Sequence, residues 1–567
     1  MSTAASTTTG GELITGILRD YGIGTVFAVA GASHAPLLDA LDRAGIRIIS
    51  SRHEAGAVGA ADGYARVTGK PGVALIVAEQ GLPNSIGALA VAWQALSPVL
   101  VIAATAPRAQ VEADTLLDHD RLALVAALSK WSRTVPDIRR LADHLHTGIK
   151  HALVGRRGPA VLLLPGQLLG ERLPAAASDA WPLPTAPQTD AATIAAAATA
   201  LAAARRPLII AGNGAVAAGE PLRRFATDHR IPVMMNGLGR GVVREDDELG
   251  FPWPYAQPAA RHADVVLVLG ARLTQRLGLG LPPRFAPDAR FIQVDIVPEA
   301  MHRNRRSDIP IHADCATAIA DIARQFRQIA GQRVFANDWL HAAIEQRKAK
   351  IAALLEAPTG TLQPLQLAAA VNERMGSAAC CVADGADIAT WLYGCLRIDR
   401  PRAFMDHYPM GAMGCGTALA VGAAAAVAER DAGNAKPVVL VTGDGAIGFH
   451  PAELHAAARA GLRLIVVVGN DGAWGTELHA QRASLGRDIN TQLGQLRYEL
   501  LAELFGGRGL LASTAAELEQ ALSKAFEEKG VVVVNALIDQ QAGALLKQDP
   551  DLQMIQFSDL IGDSDPD

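Results

Sequence analysis

The distribution of apolar and polar positions divides the chain into short, wholly apolar runs separated by longer amphipathic ones. Apolar runs at 24–30, 46–50, 72–78, 99–104 and 160–164 read as strands buried on both faces. Stretches with helical spacing lie between them, at 12–21, at 35–44 and from His53-Glu54 onward. Strands that alternate with helices predict a parallel, doubly wound sheet. The alternation returns at 207–211, 232–235, 265–269 and 291–295, and again at 380–383, 437–441 and 464–468.

This α/β pattern predicts three successive doubly wound domains, at 12–185, 190–345 and 360–545. A Ser/Thr/Gly-rich lead-in, 1–11, is expected to be disordered. A Pro/Ala-rich linker containing Leu173-Pro174 and Trp181-Pro182 separates the first two domains. The acidic tail, 546–567, is either solvated or a lid. The first and third blocks look like architectural cousins, although no short repeat joins them.

Composition narrows the function classes. The chain has 567 residues, 50% of them hydrophobic and 19% charged, which is ordinary for a globular protein of several domains. A net charge of −5 carries no basic footprint for nucleic acid. No apolar run reaches the length of a membrane span. The five cysteines form no CxxC pair, which suits reduced thiols and a cytoplasmic protein. The lead-in has no basic or apolar segment of the kind that directs secretion.

Chemistry gathers around strand 437–441, which stops at Gly443-Asp444-Gly445-Ala446. Leu454, Ala457, Ala458 and Leu462 then recur at helical spacing, and strand 464–468 ends at Gly469-Asn470-Asp471-Gly472-Ala473-Trp474. Both polar clusters therefore lie at the carboxyl ends of parallel strands, where open α/β sheets bind ligands. A carboxylate, an amide and several glycines in one place suit a hard cation such as Mg²⁺ bridging to a diphosphate. Glycine also allows close approach of the backbone to a ligand. The bland alternative is a tight turn beside an unrelated asparagine.

The spacing of these clusters resembles the signature of thiamine diphosphate (ThDP) enzymes. Over about 12–540 the chain resembles the group of acetolactate synthase, benzaldehyde lyase and 2-hydroxyacyl-CoA lyase, with pyrimidine-binding, central and diphosphate-binding domains in that order. The resemblance implies ThDP and Mg²⁺ as cofactors. It makes Asp444, Asn470 and the backbone carbonyl of Gly472 the metal ligands. It sets Asp384, Gly385, Gly443, Gly445, Ala446, Ala473 and Trp474 around the cofactor. One departure is Gly469, which stands where the family has the first asparagine of a pair.

Ser51 to Arg66 resembles the family's glutamate helix. The resemblance makes Glu54 the catalytic residue, relaying a proton at N1′ of the aminopyrimidine; an isolated glutamate there would simply complement the helix dipole. Asp406 to Gly416 matches the stretch that bends the cofactor. Met413 maps to the apolar wedge and the carbonyl of Gly411 to the acceptor for the 4′-amino group; elsewhere such a methionine would be core filler. Family sites are shared between two subunits, so a homodimer or a dimer of dimers is implied.

Residues expected to face a small-molecule carbonyl substrate are Ser33, His34, Gln80, His119, His407, Trp474 and His479. Val382–Ala386, Trp391-Leu392, His407–Met413 and Trp474–His479 look like benzaldehyde lyase. Gly280–Arg284 and Phe291–Ile296 look like 2-hydroxyacyl-CoA lyase. Leu117 replaces a glutamine common among relatives, and Gln80-Gly81-Leu82-Pro83 replaces the usual Gly-Pro-Gly; both changes count against true acetolactate synthesis. The expected activity is that of a ThDP- and Mg-dependent C–C lyase or carboligase acting on 2-oxo acids or 2-hydroxy carbonyl compounds. A 2-hydroxyacyl-CoA or oxalyl-CoA type lyase is the alternative, and a non-catalytic ThDP-binding regulatory subunit is the alternative of another class. The residues leave open whether the central domain holds FAD or an ADP/CoA moiety. Its Gly212-Asn213-Gly214 reads as a structural turn.

Overall fold

A computed structural model describes residues 7–110, 113, 120–175, 179–253, 259–357 and 360–548. The expected tail from residue 549 and the candidate His119 with its neighbour Leu117 lie outside the described residues.

Three six-stranded sheets, each wholly parallel, follow one another along the chain. The first runs, in spatial order, Arg47–Ser50, Thr25–Ala28, Gly72–Val77, Val99–Thr105, Ala160–Pro165 and Trp131–Thr134. The second runs Gly250–Pro252, Val233–Met235, Pro207–Ala211, Val265–Leu269, Arg290–Asp295 and Ile309–His312. The third runs Phe404–Asp406, Cys380–Ala383, Val438–Gly443, Leu464–Asn470, Val531–Leu537 and Arg508–Ala512. With each sheet's strands numbered in chain order, the first and third both read 2-1-3-4-6-5, whereas the central one reads 3-2-1-4-5-6. The outer domains are thus topological copies, and the central domain has the order of a dinucleotide-binding sheet.

Central strands such as Val265–Leu269 and residues 438–441 of Val438–Gly443 are apolar throughout because helices cover both faces. The edge strand Ile309–His312 alternates buried and exposed residues and contains Pro310, which an edge tolerates. Trp131–Thr134, Gly250–Pro252, Phe404–Asp406, Arg508–Ala512 and Val531–Leu537 are further strands beyond those expected.

Order begins earlier than expected. Thr7–Thr9 pairs antiparallel with Arg172–Pro174. Thr9 then caps a helix that starts at Gly10, with Glu12 completing a reciprocal capping box. The lead-in is therefore structured from Thr7, and Leu173-Pro174 of the linker belongs to a ribbon. A helix at Asp338–Glu356 runs across the boundary expected at 345. All five cysteines are free.

The first and third domains meet through helix Glu54–Thr68 and helix Gly416–Asp431. Their contact is made by small residues at backbone distance. A Cβ on Gly422 would stand 1.8 Å from the Ala60 carbonyl oxygen, and one on Gly63 would stand 2.0 Å from that of Leu419. Buried polar links flank this seam: Arg66 forks onto Asp62 and donates to the Asp406 carbonyl at 2.7 Å, and Tyr64 donates to Glu429.

Candidate active site

A cleft opens at the carboxyl ends of the third sheet. Its walls include Gly385, Ile388, Tyr408, Gly411, Met413, Asp444, Asp471 and Trp474. Register explains the placement. Gly443 pairs with Gly469 across adjacent strands, so Asp444 and Asn470 leave the sheet side by side. Gly469, the departure from the usual asparagine pair, has a packing cause: a Cβ there would lie 2.8 Å from Ile388 Cγ1. At Gly445 a Cβ would lie 2.5 Å from the Trp474 ring. Gly385 and Gly472 have φ of +84° and +72°, in the left-handed region that favours glycine.

Asp444 is buried. Its Oδ1 accepts the Gly445 N–H at 3.0 Å, and its Oδ2 has no partner at hydrogen-bond geometry among the described residues. Burial, and secondarily the carboxyl of Asp471 beside it, pushes its pKa up to about 8. A carboxylate that is costly to ionise, with one oxygen unpartnered, is what a cation would relieve. Among the described residues no three His, Cys, Asp or Glu side chains cluster as a metal site. Asn470 is held at the strand end. Its Nδ2 donates to Leu496 O at 3.0 Å and to Asn535 Oδ1 at 3.1 Å, and its Oδ1 accepts only the Gly472 N–H, at 3.2 Å.

The Gly472 carbonyl departs from expectation. It accepts N–H groups from Leu493 at 2.7 Å and Gly494 at 2.9 Å, so ligation of a cation by this oxygen would have to share or release those bonds. The segment after helix Gly475–Leu485 folds back onto residue 472, a long-range contact with no local sequence trace.

The segment carrying Gly411 and Met413 is fastened at both ends. At one end Asp406 accepts the Tyr393 hydroxyl at 2.7 Å and Arg276 Nη1 at 2.9 Å, and Arg276 lies over the Tyr408 ring, 3.9 Å from its centroid. At the other, the Asp384 carboxylate accepts backbone N–H groups of Gly385, Gly414 and Gly416. Asp384 is therefore a buried fastener behind the cleft, while its neighbour Gly385 lines it. Met413 is half-buried and lines the cleft, so it is no core filler. Gly443, Ala446 and Ala473 also line the wall.

The histidines expected at the substrate are mostly engaged elsewhere. His407 is fully buried, 3.8 Å from Asp384, with its Nε2 unpartnered, and does not line the cleft. His479 is buried with Nε2 2.8 Å from the Gln540 carbonyl. In the first domain His34 is buried, and its Nε2 lies 3.1 Å from both the Gly31 nitrogen and the Val29 carbonyl oxygen. Burial lowers its pKa. The Ser33 hydroxyl has no partner, and Gln80 is exposed just before helix Gly81–Ala95.

Glu54 opens its helix, with the His53 ring capping at Ala55 N–H, 3.0 Å away. Asn84 Nδ2 donates to Glu54 Oε2 at 3.0 Å, and a Cβ on Gly81 would stand 3.0 Å from Glu54 Cγ. Within one chain Glu54 is not part of the cleft wall. Sequence reasoning missed Asn84, Arg276 and Glu453. Glu453, a lone acid in the alanine-rich run at 452–458, carried a signal; the other two did not.

Comparison with known proteins now adds three matches. The "Thiamine pyrophosphate enzyme, N-terminal TPP binding domain" matches residues 8–124, the central domain of the same family matches 194–322, and its C-terminal TPP binding domain matches 384–536. A "Probable acetolactate synthase" of Mycobacterium bovis is 29% identical over 551 residues, covering 94% of this chain and 96% of the relative. The 2-hydroxyacyl-CoA lyase 1 of Mus musculus is 27% identical, with 94% of each chain covered. The oxalyl-CoA decarboxylase of Escherichia coli is 29% identical, covering 96% of this chain and 97% of the relative.

Proposed function

The chain belongs to the thiamine pyrophosphate enzyme family, and from that premise we propose that it is a ThDP-dependent C–C lyase or carboligase acting on 2-oxo acids or 2-hydroxy carbonyl compounds. The observation that carries the reading is the cleft in which Asp444, with an unpartnered buried oxygen, faces the Gly411–Met413 segment. When bound, ThDP supplies a nucleophilic carbon and an electron sink. The rest is the work of this chain's residues. Asp444 and Asn470 would hold Mg²⁺, with the carboxyl of Asp471 beside them. The glycines at 385, 443 and 445 let the backbone come close. Met413 would prop the cofactor's rings, and the Gly411 carbonyl would accept from its amino group. Ile388, Ala473, Trp474 and Ile538 keep water from the reacting carbon. Glu54 would hold or give up a proton toward the pyrimidine nitrogen.

Glu54 stands outside the cleft of its own chain, so the reading includes a homodimer or a dimer of dimers in which each protomer's Glu54 completes the other's cleft. Free, largely buried cysteines support a cytoplasmic setting; no helix among the described residues is long and apolar enough to cross a membrane. The test is Glu54→Gln: ThDP affinity by calorimetry stays near wild type, while deuterium exchange at C2 of the bound cofactor and turnover both collapse. Wild-type exchange in that variant refutes the relay.

A second reading, a 2-hydroxyacyl-CoA or oxalyl-CoA type lyase, is supported by the central sheet order 3-2-1-4-5-6 and by the relatives of those names. Binding of CoA to the purified enzyme separates the two readings, and the absence of flavin colour separates both from an FAD-bearing relative.

A further inference from the structure

Glu453 lies outside the cleft and has no part in the chemistry above. It is fully buried, at 0% exposure. Its Oε1 accepts the backbone N–H groups of Arg52 at 2.9 Å and His53 at 3.1 Å. Those are the last two residues before Glu54, which opens the helix. Its Oε2 is buried, has no partner at hydrogen-bond geometry among the described residues, and lies in a carboxyl that the Ser51 side chain adjoins. On the far side, a Cβ on Gly56 would stand 2.1 Å from Oε1. The chain on both sides of Glu54 is therefore moulded around one carboxyl. Arg52 and the Ser51 side chain lie beside the carboxyl, and the rings of His53 and His450 lie 5.7 Å apart. A buried acid with one idle oxygen is a costly way to fill space. Glu453 opens helix Glu453–Arg459, a short way beyond Asp444 in the same domain.

We propose that Glu453 is a positioning residue for Glu54: by holding the N–H groups of Arg52 and His53 it fixes the direction in which the Glu54 side chain leaves its helix. The diphosphate-binding domain of each chain thereby sets the aim of the acid on that chain's own first domain. The inference rests on the reading of Glu54 as the proton relay.

The test compares Glu453→Ala, Glu453→Gln and Glu54→Gln. In Glu453→Ala, amide hydrogen exchange at Arg52 and His53 in the cofactor-free protein rises by about tenfold or more, and C2 exchange of bound ThDP slows by about tenfold. Calorimetric affinity for ThDP with Mg²⁺ stays near wild type. Glu453→Gln, whose amide oxygen accepts the same two N–H groups, restores both rates. In a Glu54→Gln background Glu453→Ala slows C2 exchange no further. Should Glu453→Ala fail to accumulate as folded protein, Glu453→Asp, one methylene shorter, carries the same expectation. A slow Glu54→Gln beside a Glu453→Ala (or Glu453→Asp) variant with wild-type exchange at both the amides and C2 overturns this proposal alone. Raised amide exchange with unchanged C2 exchange overturns it as well. A Glu54→Gln variant with wild-type C2 exchange overturns the relay reading on which it rests.

Discussion

Gly422→Ala tests the seam between the first and third domains, and the sign of its effect is decided by two opposed terms. In the middle of an exposed helix, replacing glycine with alanine stabilises by about 1 kcal/mol, because the unfolded chain loses freedom and the helix gains a better former. At Gly422 the new Cβ would stand 1.8 Å from the Ala60 carbonyl oxygen and 2.8 Å from the Tyr64 amide nitrogen. Ordinary contact is roughly 3.5 Å, so one helix must retreat by roughly 1.7 Å. The atoms in the way are backbone and cannot rotate aside. Overpacking of this kind costs about 1–3 kcal/mol, and rigid neighbours put it toward the upper end. The expected net effect is destabilisation by about 1–2 kcal/mol. Gly16→Ala is the control: it lies inside helix Gly10–Asp20 with nothing within 4 Å of a new Cβ, and the same substitution there stabilises. Urea midpoints of the two variants and wild type supply the comparison. If Gly422→Ala is as stable as wild type or more so, the backbone-level contact between Glu54–Thr68 and Gly416–Asp431 is not as described.

Other expectations follow from single contacts. Arg276→Met leaves the buried Asp406 carboxylate without its cation and destabilises by about 3–5 kcal/mol; Asp406→Asn in the same chain recovers part of the loss in a double-mutant cycle, and strictly additive effects contradict the pairing. Asn84→Ala removes the 3.0 Å bond to Glu54 and lowers kcat by about tenfold with little change in ThDP affinity; an unchanged kcat counts against an orienting role. Burial pushes the Glu453 carboxyl from the usual 4.5 up to about 7. The folded chain then holds that proton more tightly than the unfolded chain does. The stabilisation is complete below the unfolded value and fades as pH rises through about 7, a swing on the order of 3 kcal/mol. Glu453→Gln cannot ionise, so its stability relative to wild type should improve between pH 4.5 and 8 by that order, and a constant difference refutes the assignment.

What could be read from the sequence follows a physical line. The strands Cys380–Ala383 and Val265–Leu269 have the expected bounds because burial on both faces forces an unbroken apolar run. The pairing of Asp444 with Asn470 at adjacent strand ends was legible for the same reason: two buried strands flanking one helix leave their carboxyl ends together. Most edge strands were not legible, Arg47–Ser50 being the exception, and the inner strand Val531–Leu537 was passed over despite its apolar run. Phe404–Asp406 is only three residues long, and Ile309–His312 alternates in burial around a proline. Contacts between positions remote in sequence leave no periodic mark. Nothing local says that Leu493 and Gly494 will occupy the Gly472 carbonyl, that Gly414 and Gly416 will consume the Asp384 carboxylate, or that Arg276 will reach Asp406 from another domain. His407 and His479 were expected at the substrate from the motifs that hold them, beside Met413 and after Trp474; both are buried, and neither lines the cleft.

The ribbon of Thr7–Thr9 and Arg172–Pro174 brings the two chain ends of the first domain to one spot. A segment whose ends meet can be excised, moved or circularly permuted without rerouting its interior. By connectivity the first domain is a cassette; by packing it is not, because its helix lies in backbone contact with Gly422. Any rearranged gene that relocates this cassette has to keep both faces of that contact, and the shared strand order of the outer domains gives such a rearrangement two equivalent scaffolds to act on.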